Sequence, residues 1–268
     1  MKFSNIPLRQ ISIDLNDTDI NEYPFSVNTI RGFKTLDVNK NVTLLVGENG
    51  SGKSTFLEAL SIHLDLPVIG RSSLSDDDTL DNVRPLSDKL RLVWNRKVRN
   101  GFFMRTEDFF NFSIKLKEKQ EDFDKLAKEY DETLTGYGRD LAMGTTLAQK
   151  NALNNKYKGN LDNMSHGEAF LHLFSERISR AGIYILDEPE APLSPSRQLT
   201  LISIIKEASK NGCQFIIATH SPILLAFPEA NIYSFDELTP KKVFFDDIEH
   251  VNLTRDFLND PKSFLRHL

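Results

Sequence analysis

The sequence predicts an α/β fold, a mixed sheet flanked by helices, with a small helical lobe added. Three observations predict it. Short apolar runs rich in β-branched residues occur at 42–46, 183–186 and 215–218, and each ends in glycine or polar residues. Helix-forming stretches at about 54–63, 167–179 and 198–209 alternate with them, the pattern of a largely parallel sheet. Between 106 and 160 the alternation gives way to helical spacing.

The elements follow in order. Strands are expected in part of 8–15, then at 35–38 and 42–46. Residues 70–88, with Asp76-Asp77-Asp78, read as a solvated polar loop. Strands are expected again at 90–94 and 102–104, with Asn100-Gly101 as the turn between them. Phe123, Leu126, Ala127, Tyr130 and Leu134 then fall at helical spacing among alternating Lys and Glu, giving one short amphipathic helix with a buried face. Gly136-Tyr137-Gly138 breaks it, and 141–160 is too weakly patterned to receive an element. The helix at 167–179, strand at 183–186, helix at 198–209 and strand at 215–218 come next. Late strands at 232–235 and 242–245 and a final helix at 260–268 complete the reading.

Composition narrows the function. The chain has 268 residues, 40% of them hydrophobic and 26% charged, with a net charge of −5. That balance offers no global attraction to nucleic acid or anionic lipid. No apolar run is long enough to span a bilayer, and residues 1–7 lack the apolar core of a signal peptide, so no membrane insertion is expected. The single cysteine, Cys213, forms no internal disulfide and fits a cytoplasmic location. The six histidines show no metal-ligand spacing.

Residues Gly47-Glu48-Asn49-Gly50-Ser51-Gly52-Lys53-Ser54-Thr55 form a phosphate-binding loop between the strand at 42–46 and the helix that follows. Its glycines let successive backbone N–H groups point inward at a polyphosphate. Lys53 is placed to reach the β- and γ-phosphates, and Ser54 to offer its hydroxyl to Mg²⁺. The helix beginning near Ser54 aims its positive end at the same anion. This chain is expected to bind a nucleoside triphosphate.

Three further motifs gather around that loop. The strand at 183–186 ends in Asp187-Glu188-Pro189. Asp187 suits Mg²⁺ beside Ser54, and Glu188 is one residue nearer the γ-phosphate, where it can orient and deprotonate water. Ser165-His166-Gly167-Glu168 is a capping box that explains a helix start, and the same start exposes N–H groups to an anion, with Gly167 allowing close approach. The strand at 215–218 delivers His220 at its edge, in line with Glu188 if the two strands are neighbours.

Phosphate loop, Ser-His-Gly-Glu, Leu-Asp-Glu-Pro and Ala-Thr-His-Ser-Pro, in that order, resemble the ATPase domain of the ABC superfamily. The resemblance is nearest to its soluble branches, the chromosome-maintenance and DNA-repair ATPases and the small stand-alone bacterial AAA-type ATPases. The segment 101–110 and the tail at 254–261 and 264–268 resemble the latter. The resemblance implies one ABC-type ATPase domain over 1–268 with a helical lobe inserted at 106–165. It implies ATP and Mg²⁺ as ligands, Lys53 on phosphate, Ser54 and Asp187 on Mg²⁺, Glu188 as general base and His220 as switch histidine. Ser165 and Gly167 would meet the γ-phosphate of ATP held by a second protomer, making an ATP-dependent head-to-tail homodimer. The chain departs from the family pattern in three places. Ser165-His166-Gly167-Glu168 replaces Ser-Gly-Gly-Gln, Leu193-Ser194-Pro195 stands where many transporters carry an aspartate, and no glutamine occupies the Q-loop, where Arg105 or Glu107 is the candidate replacement.

The expected function is thus an ATP-hydrolysing switch or motor for an unidentified partner. A guanine-specific Asn-Lys-x-Asp motif is lacking. A non-hydrolysing nucleotide-gated module, the ATPase subunit of a transporter and a DNA repair or defence ATPase remain as alternatives. The basic-aromatic cluster Arg91, Trp94, Arg96, Lys97 and Arg99 is the only feature pointing to nucleic acid, and its reading as an exposed hairpin is preferred.

Overall fold

The computed structural model describes residues 6–68, 78–156, 165–178 and 180–266. Of the sequence expectations, residues 1–5, 70–77, 157–164, 179, 267 and 268 lie outside the described residues.

The first half of the chain runs β1 (Leu8–Ile13), α1 (Asn28–Arg31), β2 (Thr35–Asp37), β3 (Val42–Val46), α2 (Lys53–His63), a 3₁₀ turn (Asp78–Val83), α3 (Arg84–Lys89), β4 (Leu90–Trp94) and β5 (Gly101–Arg105). Two long helices follow, α4 (Thr106–Thr133) and α5 (Gly136–Lys156). The rest runs α6 (His166–Arg177), β6 (Ile183–Asp187), α7 (Pro195–Lys210), β7 (Gln214–Ala218), α8 (Pro222–Leu225), β8 (Asn231–Ser234), β9 (Lys241–Val243), a second 3₁₀ turn (Phe245–Asp247), α9 (Glu249–Asn259) and α10 (Pro261–Leu265).

The main sheet has the order β5-β6-β7-β3-β8-β9 and is parallel except for β9. A second, antiparallel sheet has the order β2-β1-β4. The central strands are buried on both faces, which is why they read as unbroken apolar runs. Ile183 and Ile185 of β6 face one core with Phe56, Leu57 and Leu60 of α2 and Leu36 and Leu90 of the small sheet. Tyr184 and Leu186, pointing the other way, join a second core with Phe170 and Phe174 of α6 and Leu201 and Ile205 of α7. Buried Gln214 ties the two sheets together, accepting from Leu8 N at 2.8 Å and donating to Val38 O at 2.6 Å.

The expected hairpin at Asn100-Gly101 is not formed. β4 pairs with β1 in the small sheet, whereas β5 pairs with β6 in the large one, so the segment between them is a crossover. Gly101 has φ +144°, and a Cβ there would lie 1.7 Å from the Ile183 carbonyl oxygen. The glycine serves close approach of two strands, not a turn.

The helical region is also larger than expected. α4 runs 28 residues, about 42 Å at 1.5 Å per residue, and 141–156, left without an element above, belongs to α5. The break between them falls at Leu134-Thr135, with Gly136 at φ +62°. Ion pairs Arg139–Asp131 and Lys150–Asp124 show the two helices to be antiparallel. Phe123, Leu126, Ala127 and Tyr130 do share a face, yet it is half-buried, and Leu134 is exposed. α9 was not foreseen either, and the last helix is shorter than the 260–268 expected.

Candidate functional site

The parallel strands all end at one edge of the main sheet, so residues just past each strand converge there. β3 delivers the phosphate loop, β6 delivers Asp187 and Glu188, β7 delivers His220, and β5 delivers Arg105 and Thr106. β6 and β7 are indeed neighbours, with Asp187 paired to Ala218.

The loop from Gly47 to Ser51 is followed by Gly52 at φ +98°, a left-handed conformation that turns the chain into α2. Lys53 is 5% exposed. Its Nζ donates to the carbonyls of Gly47 at 2.6 Å and Glu48 at 2.8 Å, so the ammonium is held across the loop mouth. Burial lowers its pKa, against the opposing charges of Asp187, Glu188, Asp236 and Glu190. Glu48, Asn49, Gly50 and Ser54 are exposed around it, and the Thr55 hydroxyl lies 3.3 Å from the Tyr23 hydroxyl. A cleft of about 1660 Å³ opens beside the loop, lined among others by Gly47–Ser51, His220, Asp236, Phe244 and His250.

Asp187 is buried, and burial pushes its pKa up to about 7 against a hydrogen bond from Ser54. Its Oδ1 is buried with no hydrogen-bond partner among the described residues. A carboxylate oxygen left without a partner beside an exposed serine hydroxyl fits a divalent cation, which would neutralise charge on phosphate oxygens when bound. Glu188 sits at φ +49°, a conformation that is strained for a side chain of this size. It is held there from both sides: its N–H donates to Ala218 O at 2.9 Å, and its carbonyl accepts from the Thr106 hydroxyl at 2.5 Å. The turn aims the Glu188 carboxylate at His220, whose Nε2 lies 3.6 Å from Oε1. That is outside hydrogen-bond range, and Nε2 has no other partner among the described residues. Burial, then the charge of Lys53, lowers the His220 pKa. The set can therefore hold a triphosphate, a cation and a water between a carboxylate and an imidazole.

Ser165 and Gly167 stand apart from this cluster. Ser165 is the N-cap of α6 with the full capping box: Glu168 N donates to its hydroxyl, and the Glu168 carboxylate accepts from Ser165 N at 2.9 Å. Arg197 of α7 binds that carboxylate at 2.9 Å. Gly167 is buried, and a Cβ there would meet Pro192 O at 2.8 Å. Its lack of a side chain thus has a packing reason, different from the ligand approach expected above. Among the described residues no hydrogen bond or ion pair links Ser165 or Glu168 to the 47–55 loop.

Of the two Q-loop candidates, Arg105 points into a buried ion cluster with Asp108 at 2.6 Å and Glu58 at 3.1 Å, and Glu107 is exposed. Four contributors escaped the sequence reading. Asp236 accepts from Glu48 N at 2.6 Å and pins the start of the loop. Glu190 accepts from His220 N at 2.7 Å. His250 of α9 lies with its ring 6.5 Å from that of His220. Thr106 ties α4 to Glu188. Asp236 and Thr106 follow directly on strands, a signal usable only once the strand order is known.

The comparisons agree with this geometry. The family described as "ABC transporter" matches residues 35–191, and the family described as "AAA domain, putative AbiEii toxin, Type IV TA system" matches 167–226. An uncharacterized ABC transporter ATP-binding protein of Haemophilus influenzae is 27% identical over 206 residues, covering 76% of this chain and 72% of its own length. The tungstate uptake system ATP-binding protein of Campylobacter jejuni is 24% identical, over 94% of this chain and 74% of that one. The retron Vc95 probable ATPase of Vibrio cholerae is 28% identical over 138 residues, 47% of this chain but only 27% of that protein. No helix among the described residues is long and apolar enough to cross a membrane. The first match spans more than half of the chain and both phosphate-site motifs, and the chain therefore belongs to the ABC transporter family of ATPases, which bind ATP with Mg²⁺ and hydrolyse it.

Proposed function

We propose that this ATPase is a nucleotide switch that closes head to tail on a second copy of itself over two ATP molecules and opens on hydrolysis. In this reading Lys53 and the N–H groups of 47–55 hold the phosphates, and Ser54 and Asp187 hold Mg²⁺. Glu188 takes a proton from water as its oxygen bonds to the γ-phosphorus and the bond to the β-phosphate oxygen breaks, giving ADP and phosphate. His220 stabilises charge on the γ-phosphate oxygens in the transition state. The helical lobe at 106–165, attached to the site through Thr106, carries the change in state outward.

The observation that carries the dimer is the isolation of Ser165. It caps an exposed helix start yet shares no bond with the phosphate loop of its own chain among the described residues. With the Ser165 and Glu168 N–H groups taken by the capping box, the partner's γ-phosphate would meet the Ser165 hydroxyl, released from Glu168, and the remaining N–H groups of the helix start. Glu188→Gln should bind ATP without cleaving it, so light scattering should read a monomer without nucleotide and a dimer with Mg·ATP. Ser165→Arg in that background should restore the monomer. A Glu188→Gln protein that holds ATP and never changes mass contradicts the dimer.

A second reading, the ATP-binding subunit of a transporter, is supported by the names of the Haemophilus and Campylobacter relatives. It predicts co-purification with a membrane protein, where the stand-alone switch predicts none.

A further inference from the structure

The N–H of His220 is the first along β7 to lose its place in the sheet. Thr219 N still donates to Leu45 O at 3.1 Å, but β6 has already ended at Asp187, and among the described residues no main-chain acceptor bonds the His220 N–H. Glu190 supplies one, with Oε1 at 2.7 Å. The Thr219 hydroxyl faces the same carboxylate. The turn that presents Glu190 is fixed by Ala191 N on Glu188 O at 3.2 Å and Leu193 N on Glu190 O at 2.8 Å. On the far side the loop is held by Ser221, which accepts from Leu224 N at 3.2 Å and donates to Gln198 Oε1 at 2.5 Å.

A neutral acceptor would satisfy one N–H at lower cost. Glu190 instead places an acid close to Glu188, burial first and that neighbouring charge raise its pKa, and its Oε2 is buried with no hydrogen-bond partner among the described residues. Such a half-satisfied acid is a poor device for stability. It is a good device for orientation, because a charge-assisted hydrogen bond fixes the donor more tightly than a neutral one.

We infer that Glu190 is a positioning residue of the hydrolytic site, holding the His220 backbone so that its imidazole meets the γ-phosphate. The inference rests on the reading of His220 given above. Glu190 need not touch phosphate itself, and its effect should pass entirely through His220.

A double-mutant cycle tests this on the full chain, reading single-turnover hydrolysis and ATP affinity separately. Glu190→Ala should slow turnover about tenfold or more, since small displacements of a positioned group carry losses of this order. ATP affinity should stay within about twofold, because the loop and Lys53 are untouched. In a His220→Ala background the same substitution should change turnover by less than about twofold. Glu190→Gln, which keeps the shape and one acceptor but not the charge, should recover only part of the rate and covers the case in which the alanine variant folds poorly. Equal losses in both backgrounds would overturn the inference, as would a wild-type rate for Glu190→Ala while His220→Ala is slow. If His220→Ala alone turns over at the wild-type rate, the switch reading of His220 fails and takes this inference with it.

Discussion

At the phosphate site α2 begins with a buried lysine, and every side chain near it is fixed by a strand end. In the α4–α5 hairpin the helices are longer, but they touch little besides each other, and Ile114, Tyr137, Leu141 and Leu147 are all more than half exposed. The same residue types do different work in these two settings. A glycine, an arginine or a carboxylate in the cassette is held by geometry that tolerates one solution; in the hairpin it answers mainly to helix propensity and solvent. The joint between them lies at the start of α4: Thr106 on Glu188, Arg105 on Asp108 and Glu58, and Phe109 edge-on against Phe170 at 5.0 Å.

Paired substitutions sharpen that contrast. Arg105 is 4% exposed and its partner Asp108 1%. Arg105→Ala should cost about 3–5 kcal/mol, as expected when one member of a buried ion cluster is removed. Arg139→Ala, which breaks the exposed pair with Asp131, should cost less than about 1 kcal/mol. Denaturant melts of both variants measure this, and similar losses would erase the distinction.

Glycine gives the next pair. Gly101→Ala puts a Cβ against the Ile183 carbonyl at a positive φ and should destabilise by about 2–4 kcal/mol. Gly144 lies inside α5, where a Cβ meets nothing within 4 Å. Gly144→Ala should therefore stabilise by about 0.5–1 kcal/mol through helix propensity. A loss at Gly144 would mean that a partner surface covers the hairpin.

The carboxylates differ by pH. Asp187 has a folded pKa of about 7 against a reference of 3.8, so between these values the folded state binds more proton than the unfolded one. Nucleotide-free stability should fall as pH rises through that window, by up to about 4 kcal/mol for a shift of this size. Asp187→Asn should flatten the slope, and it should be the more stable protein at pH 8. Thermal melts from pH 4 to 8 without Mg²⁺ check the slope and its flattening in the variant.

The phosphate loop, the Asp187-Glu188 pair and His220 were legible because each joins an apolar strand to a chemically specific end, and strand neighbours supply the rest. β3 and β4 fell where the pattern put them, and β6 and β7 to within one residue. The Asn100-Gly101 turn misled because a glycine required for packing against Ile183 looks the same in sequence as one required for a turn. α5 was invisible because its inward face offers only Met143 as a large apolar side chain beside small Ala142 and polar Thr146, while apolar Leu141 and Leu147 are exposed. Glu190, Asp236 and His250 were unreadable for another reason: each is a lone polar residue whose partner lies in a distant segment, and only the sheet order brings them together.

The central claim is that Glu188 supplies the base for hydrolysis at a site that binds ATP without it. Single-turnover hydrolysis of bound Mg·ATP by Glu188→Gln measures this directly, beside equilibrium dialysis for affinity. The rate should fall about 10²–10⁴-fold, the usual loss of a general base, with ATP affinity held by Lys53 and the loop. A Glu188→Gln protein that cleaves ATP at the wild-type rate would contradict the account.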